Sequence, residues 1–199
     1  MRYDAEHKEE TRQRVLKAAA RAIRREGPFK VGVAGVMAKA GLTHGGFYAH
    51  FASKDDMIAA GIGQMFEEGR GKLERETEGR EPAAALTAYI DFYLSADHRD
   101  TRSAGCPLPF LSGDAPRLPE VSRARFAQGV ADLTTRIATR LAALGRADPD
   151  EGARSLLSEL VGALSLARAD PDPARSDAIL TTSRAALKAR YNLEPSIHE

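Results

Sequence analysis

The sequence predicts an all-α protein: a small three-helix domain followed by a larger helical one. Three observations lead there. Apolar residues recur at three- and four-residue spacing through the 199-residue chain, and no stretch alternates as a half-buried strand would. Several segments open with helix-starting chemistry, most plainly Asp148-Pro149 and Asp172-Pro173, where aspartate caps and proline takes the first helical position. Gly41 separates two short apolar-periodic stretches at a point where a helix must stop and the backbone turn through a left-handed conformation.

In the first helix Thr11, Val15, Leu16, Ala19, Ala22 and Ile23 form one stripe, and Gly27-Pro28 ends it. Val33, Val36, Met37 and Ala40 have helical spacing for a short second helix. After Gly41, Thr43 is placed to cap a third, very short helix over about residues 44–50. Phe47 and Phe51, four apart, can anchor it, leaving His44, Tyr48 and His50 as polar groups for another surface. This first domain is expected over residues 1–52, and a larger one over 53–199.

The second domain opens with a long helix from Ser53, with Asp56 as capping-box partner, running through Met57, Ile58, Met65, Phe66 and Leu73. Gly61, Gly63, Gly69 and Gly71 each weaken it by about 1 kcal/mol relative to alanine. Close packing against a neighbour and compliance during signalling both account for them. Pro82 opens the next helix, with Leu86, Tyr89, Ile90, Tyr93 and Leu94. Prolines at 107, 109, 116 and 119 forbid a long helix there. Phe126, Val130, Leu133, Ile137, Leu141 and Leu144 then mark a long one that stops at Gly145. The last two helices present Leu156, Leu157, Leu160, Val161, Leu164 and Leu166, then Ile179, Leu180, Leu187 and Tyr191.

Composition narrows the function. The net charge of +1 hides an asymmetry: residues 1–55 hold eleven Lys and Arg against six Asp and Glu, while the remainder is net acidic. Cations beside two short helices joined by a glycine turn are what a helix-turn-helix needs to meet the phosphates flanking a major groove. Lys8, Arg12, Arg14, Lys17, Arg21, Arg24, Arg25 and Lys30 cannot all face one way on a helix, so only a minority should touch phosphate. Thr43, His44 and Gly45 lie at the N-terminal end of the third helix, where backbone N–H groups point outward, and Gly45 and Gly46 would let DNA approach closely. A metal pair is excluded for His44 and His50, because six residues at about 100° each put their side chains on different sides of a helix. No cofactor is expected. No apolar run approaches bilayer-spanning length and the N-terminus is charged, so a cytoplasmic protein without a membrane partner is expected. The single cysteine, Cys106, agrees with a reducing compartment.

Gly41-Leu-Thr-His-Gly-Gly-Phe-Tyr-Ala-His-Phe51, followed by Ser53-Lys54, resembles the recognition region of the TetR family of bacterial transcriptional regulators. Thr11-Arg-Gln-Arg-Val-Leu-Lys-Ala-Ala-Ala20 is similar to that family's first helix, and the length and two-helix C-terminus match its architecture. One departure is Val31-Gly32, where the family usually opens the second helix with Ser or Thr. The resemblance implies that Tyr48, His50 and Lys54 contact phosphates and that His44 approaches base edges. It further implies a homodimer through the last two helices, a palindromic operator, and release by a small-molecule inducer.

Tyr89, Phe92, Tyr93, Cys106, Leu108, Phe110, Phe126 and Leu133 are the candidates to line an inducer cavity, whose apolar walls and tyrosine hydroxyls would suit a lipophilic or aromatic ligand. Cys106 has two readings, a small apolar wall residue or a sensor thiol made reactive by Arg99 or Arg102. Two rivals come from other classes. An enzyme finds no support, for there is no phosphate loop, metal-ligand cluster or nucleophile motif. An architectural DNA-binding protein without a ligand would show a filled core in place of a cavity.

Overall fold

The computed structural model describes residues 2–193, with side chains from His7 onward. Helices follow one another as α1 (Arg2–Glu26), α2 (Val33–Lys39), a 3₁₀ segment (His44–Ala49), α3 (Lys54–Thr77), α4 (Pro82–Tyr93), α5 (Ala96–Asp100), α6 (Leu108–Leu111), α7 (Glu120–Ala143), α8 (Pro149–Ala169) and α9 (Pro173–Arg190). No strand occurs among the described residues. Their contacts gather into two compact units, residues up to 68 with 110–129, and residues 69–109 with 130 onward.

In the first unit the stripe of α1 is buried as its spacing dictates, with Val15, Ala19 and Ile23 wholly inside. Val36 and Met37 of α2, Phe47 and Phe51, and Met57, Ile62 and Met65 of α3 close the same core, joined by Leu111 and Leu118. Two glycines set the approach of the helices. A Cβ on Gly61 would lie 2.8 Å from Ile23 Cδ1, so this glycine serves close packing of α3 on α1. A Cβ on Gly129 of α7 would lie 2.3 Å from the Phe66 ring, which sits edge-on to Phe126 at 5.7 Å. By contrast, a Cβ on Gly69 would meet nothing within 4 Å, so packing does not explain that glycine. The buried Arg24 guanidinium meets Glu68 at 2.7 Å, tying α1 to α3 within the unit.

In the second unit Leu86, Ile90 and Tyr93 of α4, Ile137 and Leu141 of α7, Leu156, Leu160 and Leu164 of α8, and Leu180 and Leu187 of α9 are buried. Helices α8 and α9 pack on each other as a hairpin. Ion pairs bind the surface of the unit: Lys188 to Asp91 at 2.6 Å, Arg190 to Glu159 at 2.7 Å, and Arg136 and Arg140 to Glu74 at 2.6 and 3.1 Å.

Local expectations fare unevenly. Asp172 caps α9, its carboxylate accepting the Arg175 N–H at 3.0 Å. Asp148 does not cap α8 with its side chain; only its carbonyl is used, accepting the Gly152 N–H at 3.0 Å. Leu166 stands 63% exposed on α8, outside the stripe to which its apolar character assigned it. A residue two positions beyond Leu164 on an α-helix is turned by about 200°, and a single heptad-like run cannot keep both inside.

Candidate nucleic-acid interface

The turn after α2 is closed by main-chain bonds alone. Gly41 has φ +74°, its N–H reaching Ala38 O at 3.0 Å, and the Leu42 N–H reaches Met37 O at 2.9 Å. That pair of bonds is a Schellman motif, which consumes the last carbonyls of α2 and favours a residue without a Cβ at the left-handed position. Gly32 caps the other end of α2 with its carbonyl only, which accepts the Val36 N–H at 3.2 Å.

The segment that follows is 3₁₀ rather than α. Thr43 holds the extended cap conformation, but its hydroxyl makes no cap bond; the Gly46 N–H goes to the Thr43 carbonyl at 3.1 Å instead. The tighter 3₁₀ winding supplies that bond from the main chain, so the expected side-chain cap is not formed. Phe47 and Phe51 are each 2% exposed with rings 5.7 Å apart, and they hold the segment down. Arg12 completes the anchorage from α1. Its Nη1 donates to the His50 carbonyl at 2.5 Å, and its guanidinium lies 4.9 Å above the Phe51 ring.

What remains outside is the polar edge. Thr43, His44, Gly45 and Tyr48 are exposed, Tyr48 at 73%, and Gly46 and His50 are half-buried. Neither glycine here is demanded by the fold. Both have ordinary φ, a Cβ on Gly45 would meet nothing within 4 Å, and one on Gly46 nothing nearer than 3.8 Å. Packing within the chain therefore explains neither glycine. Burial pushes the His50 imidazole below its usual value, with Lys8 and Arg12 adding to the effect. A neutral His50 can meet a phosphate as an N–H donor but not as a cation. Lys54 stays exposed, its ammonium 3.5 Å from the Phe29 carbonyl. Ser53 caps α3 by accepting the Asp56 N–H at 3.1 Å, and the Asp56 carboxylate accepts the Ala52 N–H in return, also at 3.1 Å. Lys54 is thus fixed at the first turn of a well-formed helix.

The candidate ligand residues divide between the two units. Phe110 and Phe126 belong to the first, packed against its core. Tyr89, Phe92, Tyr93, Cys106, Leu108 and Leu133 belong to the second. There the Tyr89 and Tyr93 rings meet edge to face at 5.9 Å, and burial drives both phenols well above the usual range, with the Cys106 thiol beside them adding to the shift.

His98 organises this corner, and sequence reasoning missed it. Its Nδ1–H donates to the Tyr93 carbonyl at 2.8 Å, while its Nε2 accepts the Cys106 N–H at 3.1 Å. Phe92 stacks on the ring at 5.2 Å. Burial lowers the imidazole to about 4. Arg168, also missed, donates to the carbonyls of His98 at 2.6 Å and Arg99 at 3.0 Å, capping the C-terminal turn of α5. Arg99 itself is occupied by Asp100 and Asp177, at 2.8 and 2.5 Å. No three His, Cys, Asp or Glu side chains gather as a metal site among the described residues, and no described helix is long and apolar enough to cross a membrane.

Residues 15–60 match the family described as bacterial regulatory proteins, tetR family. The Bacillus subtilis protein YfiR, an uncharacterized HTH-type transcriptional regulator, is 29% identical over 105 residues, which is 53% of this chain and 51% of that one; the match therefore spans about half the relative's length. The fold is shared with Escherichia coli NemR in its reduced form (TM-score 0.79, 19% identity, 90% of this chain and 96% of that one). It is shared also with a TetR regulator of Chloroflexus aurantiacus (0.79, 22%, 94% and 96%) and a TetR-family regulator of Cytophaga hutchinsonii (0.79, 18%, 92% and 96%). Residues 15–60 thus carry the helix-turn-helix region described for the tetR family of bacterial regulatory proteins, and the fold of the whole chain is shared with regulators of that type.

Proposed function

We propose that this regulator is a cytoplasmic repressor that binds a palindromic operator as a homodimer and is released by a small lipophilic or aromatic inducer. The observation that carries the reading is the edge formed by Thr43, His44, Gly45, Gly46, Tyr48, His50 and Lys54. Its anchors are buried, its polar groups face out, and its glycines answer no demand of the fold. In this reading residues 1–52 read DNA, and residues 53–199 bind the inducer and dimerise. Exposed Leu166 on α8, with exposed Ala178, Thr181, Thr182, Ala185 and Ala189 along one face of α9, supports a dimer through the last two helices. A symmetric dimer sets two reading segments in successive major grooves about 34–36 Å apart. The inducer favours a dimer whose heads miss that spacing, so DNA must weaken inducer binding by the same factor. Within the second unit Tyr89, Phe92, Tyr93, Cys106, Leu108 and Leu133 supply apolar walls with few polar points.

Selection of bound duplexes from a random pool, followed by a salt titration of the winners, tests the DNA half. A palindromic winner with steep salt dependence is expected; binding without sequence preference would indicate an architectural protein, and no binding at low salt would end the reading. A second reading, thiol sensing, is favoured by one observation: Cys106 is held by the His98 ring on one side and faces the Tyr93 hydroxyl on another, so a change at sulfur would disturb a fixed corner. The NemR structure, described as a reduced form, is in keeping with it. Cys106→Ser separates the two, because an inducer-gated repressor keeps its response and a thiol sensor loses it.

A further inference from the structure

Beside the corner that holds Cys106, a cleft of about 330 Å³ opens between the end of α5 and the α8–α9 turn, and its charges are out of balance. Arg99, Arg102 and Arg168 line it, with Asp100 and Asp170 as the acids. Both acids are already engaged. Asp100 takes Arg99 through two bonds, at 2.8 and 3.1 Å, and Asp170 takes Arg175 through two more, at 3.1 and 3.0 Å. Arg168 gives an N–H to each of two carbonyls and is bonded to no carboxylate; Asp100, already bonded to Arg99, is the acid that faces its charge. Arg102 stands close enough to oppose that charge, and its side chain makes no hydrogen bond or ion pair among the described residues. Pro173 opens α9 at the rim, so the positive end of an 18-residue helix adds to the same field. Ser176 completes the lining with a hydroxyl.

We propose that this cleft binds a compact oxyanion, a phosphate or a small carboxylate, between Arg102 and Arg168. Two guanidinium groups that line one cleft, its two carboxylates already bonded to Arg99 and Arg175, are a planar-donor site for such a group. The site is separate from the aromatic cavity proposed for the inducer, and it does not depend on DNA binding. Occupancy would engage the guanidinium that holds the His98 carbonyl, on the same residue whose ring fixes the Cys106 backbone.

The test is calorimetric titration of the full chain with inorganic phosphate, and separately with succinate, at an ionic strength fixed with chloride. Arg102→Gln is the variant, chosen because its side chain supports nothing in the fold. Arg80→Gln, an exposed arginine elsewhere in the second unit, is the control for general charge. The expected result is saturable binding of at least one probe, weakened at least tenfold by Arg102→Gln and unchanged by Arg80→Gln. The phosphate and succinate arms tell which oxyanion fits better. No saturable binding of either probe, or equal loss in both variants, would overturn the proposal.

Discussion

The exposed 3₁₀ segment and the Cys106 corner hold their shapes by opposite means. At His44–Ala49 the backbone does the holding, through a glycine turn closed by main-chain bonds and two buried phenyl rings beneath, so the polar side chains are left unspent. At Cys106 the side chains do the holding. Both His98 nitrogens are used, Arg168 takes two carbonyls, and the Ser95 hydroxyl accepts the His98 N–H at 3.1 Å to cap α5. An edge with unspent polar groups is suited to a partner from outside. A buried corner with its groups engaged keeps one geometry. Substitutions on the first edge should therefore alter binding at constant stability, whereas those in the corner should alter stability and its pH dependence.

The anchors are the exception that sharpens the contrast, and they carry the largest expected effect. Phe47→Ala removes a ring that is 2% exposed and should cost about 3–5 kcal/mol in denaturant unfolding, with DNA binding abolished alongside. If the unfolding midpoint barely moves, the segment is not held by its rings, and the division between holding backbone and free side chains is wrong.

The corner should announce itself through acid. His98 is lowered to about 4 in the folded protein by burial, against about 6.5 in an unfolded chain. Between those values the unfolded chain takes up a proton that the folded one refuses, so this contribution is whole above about pH 6.5 and is lost as pH falls toward 4. The loss amounts to about 3 kcal/mol at most. Burial is the main reason for the refusal, and protonation would also set an N–H against the Cys106 N–H that Nε2 now accepts. Denaturant unfolding at pH 7 and pH 5 should show a steeper loss in the native chain than in His98→Gln. Equal slopes would place the acid sensitivity elsewhere.

Two glycines repeat the comparison on a smaller scale. Gly129→Ala should cost about 1–3 kcal/mol, because its Cβ would collide with the Phe66 ring, and Phe66→Leu in the same chain should recover part of the loss. Gly45→Ala, with ordinary φ and open space around it, should leave thermal stability within about 0.5 kcal/mol and weaken DNA binding instead.

What the sequence made legible follows the same line. The α1 stripe, the left-handed Gly41, the paired phenylalanines and the Ser53 cap are all local patterns, set by spacing or by one residue's backbone freedom, and each is found as read, though Asp56 takes the Ala52 N–H rather than that of Ser53. Thr43 and Asp148 failed as side-chain caps because a capping residue type permits the bond but does not fix the rotamer or winding that forms it. Arg12, His98, Arg168 and Gly129 were out of reach for a different reason. Arg12 acts on a residue 38 positions away, and Arg168 on ones 69 and 70 away, where no period in the sequence connects them. The backbone shape of residues 41–51 was legible because it is set by neighbours in the chain; the corner was not, because Arg168 reaches it from 69 and 70 residues away and the His98 bonds, five and eight residues apart, follow no helical period.

The smallest effect on stability should come from Lys54→Gln and Tyr48→Ala, and it is the most direct trial of the edge. Both side chains are exposed, and the Lys54 bond to Phe29 is too long at 3.5 Å to hold anything, so unfolding should shift by no more than about 0.5 kcal/mol. Their effect belongs in the salt dependence of DNA binding. Lys54→Gln should flatten the slope of log affinity against log salt by about 0.9 per subunit, since each phosphate that is no longer neutralised keeps its condensed counterion. Tyr48→Ala should weaken binding with the slope unchanged, because its hydroxyl donates a hydrogen bond without carrying charge. An unchanged slope for Lys54→Gln would mean that its ammonium meets no phosphate, and that role would then fall to Lys8 or Arg12, the cations beside His50 on the α1 side of the same edge.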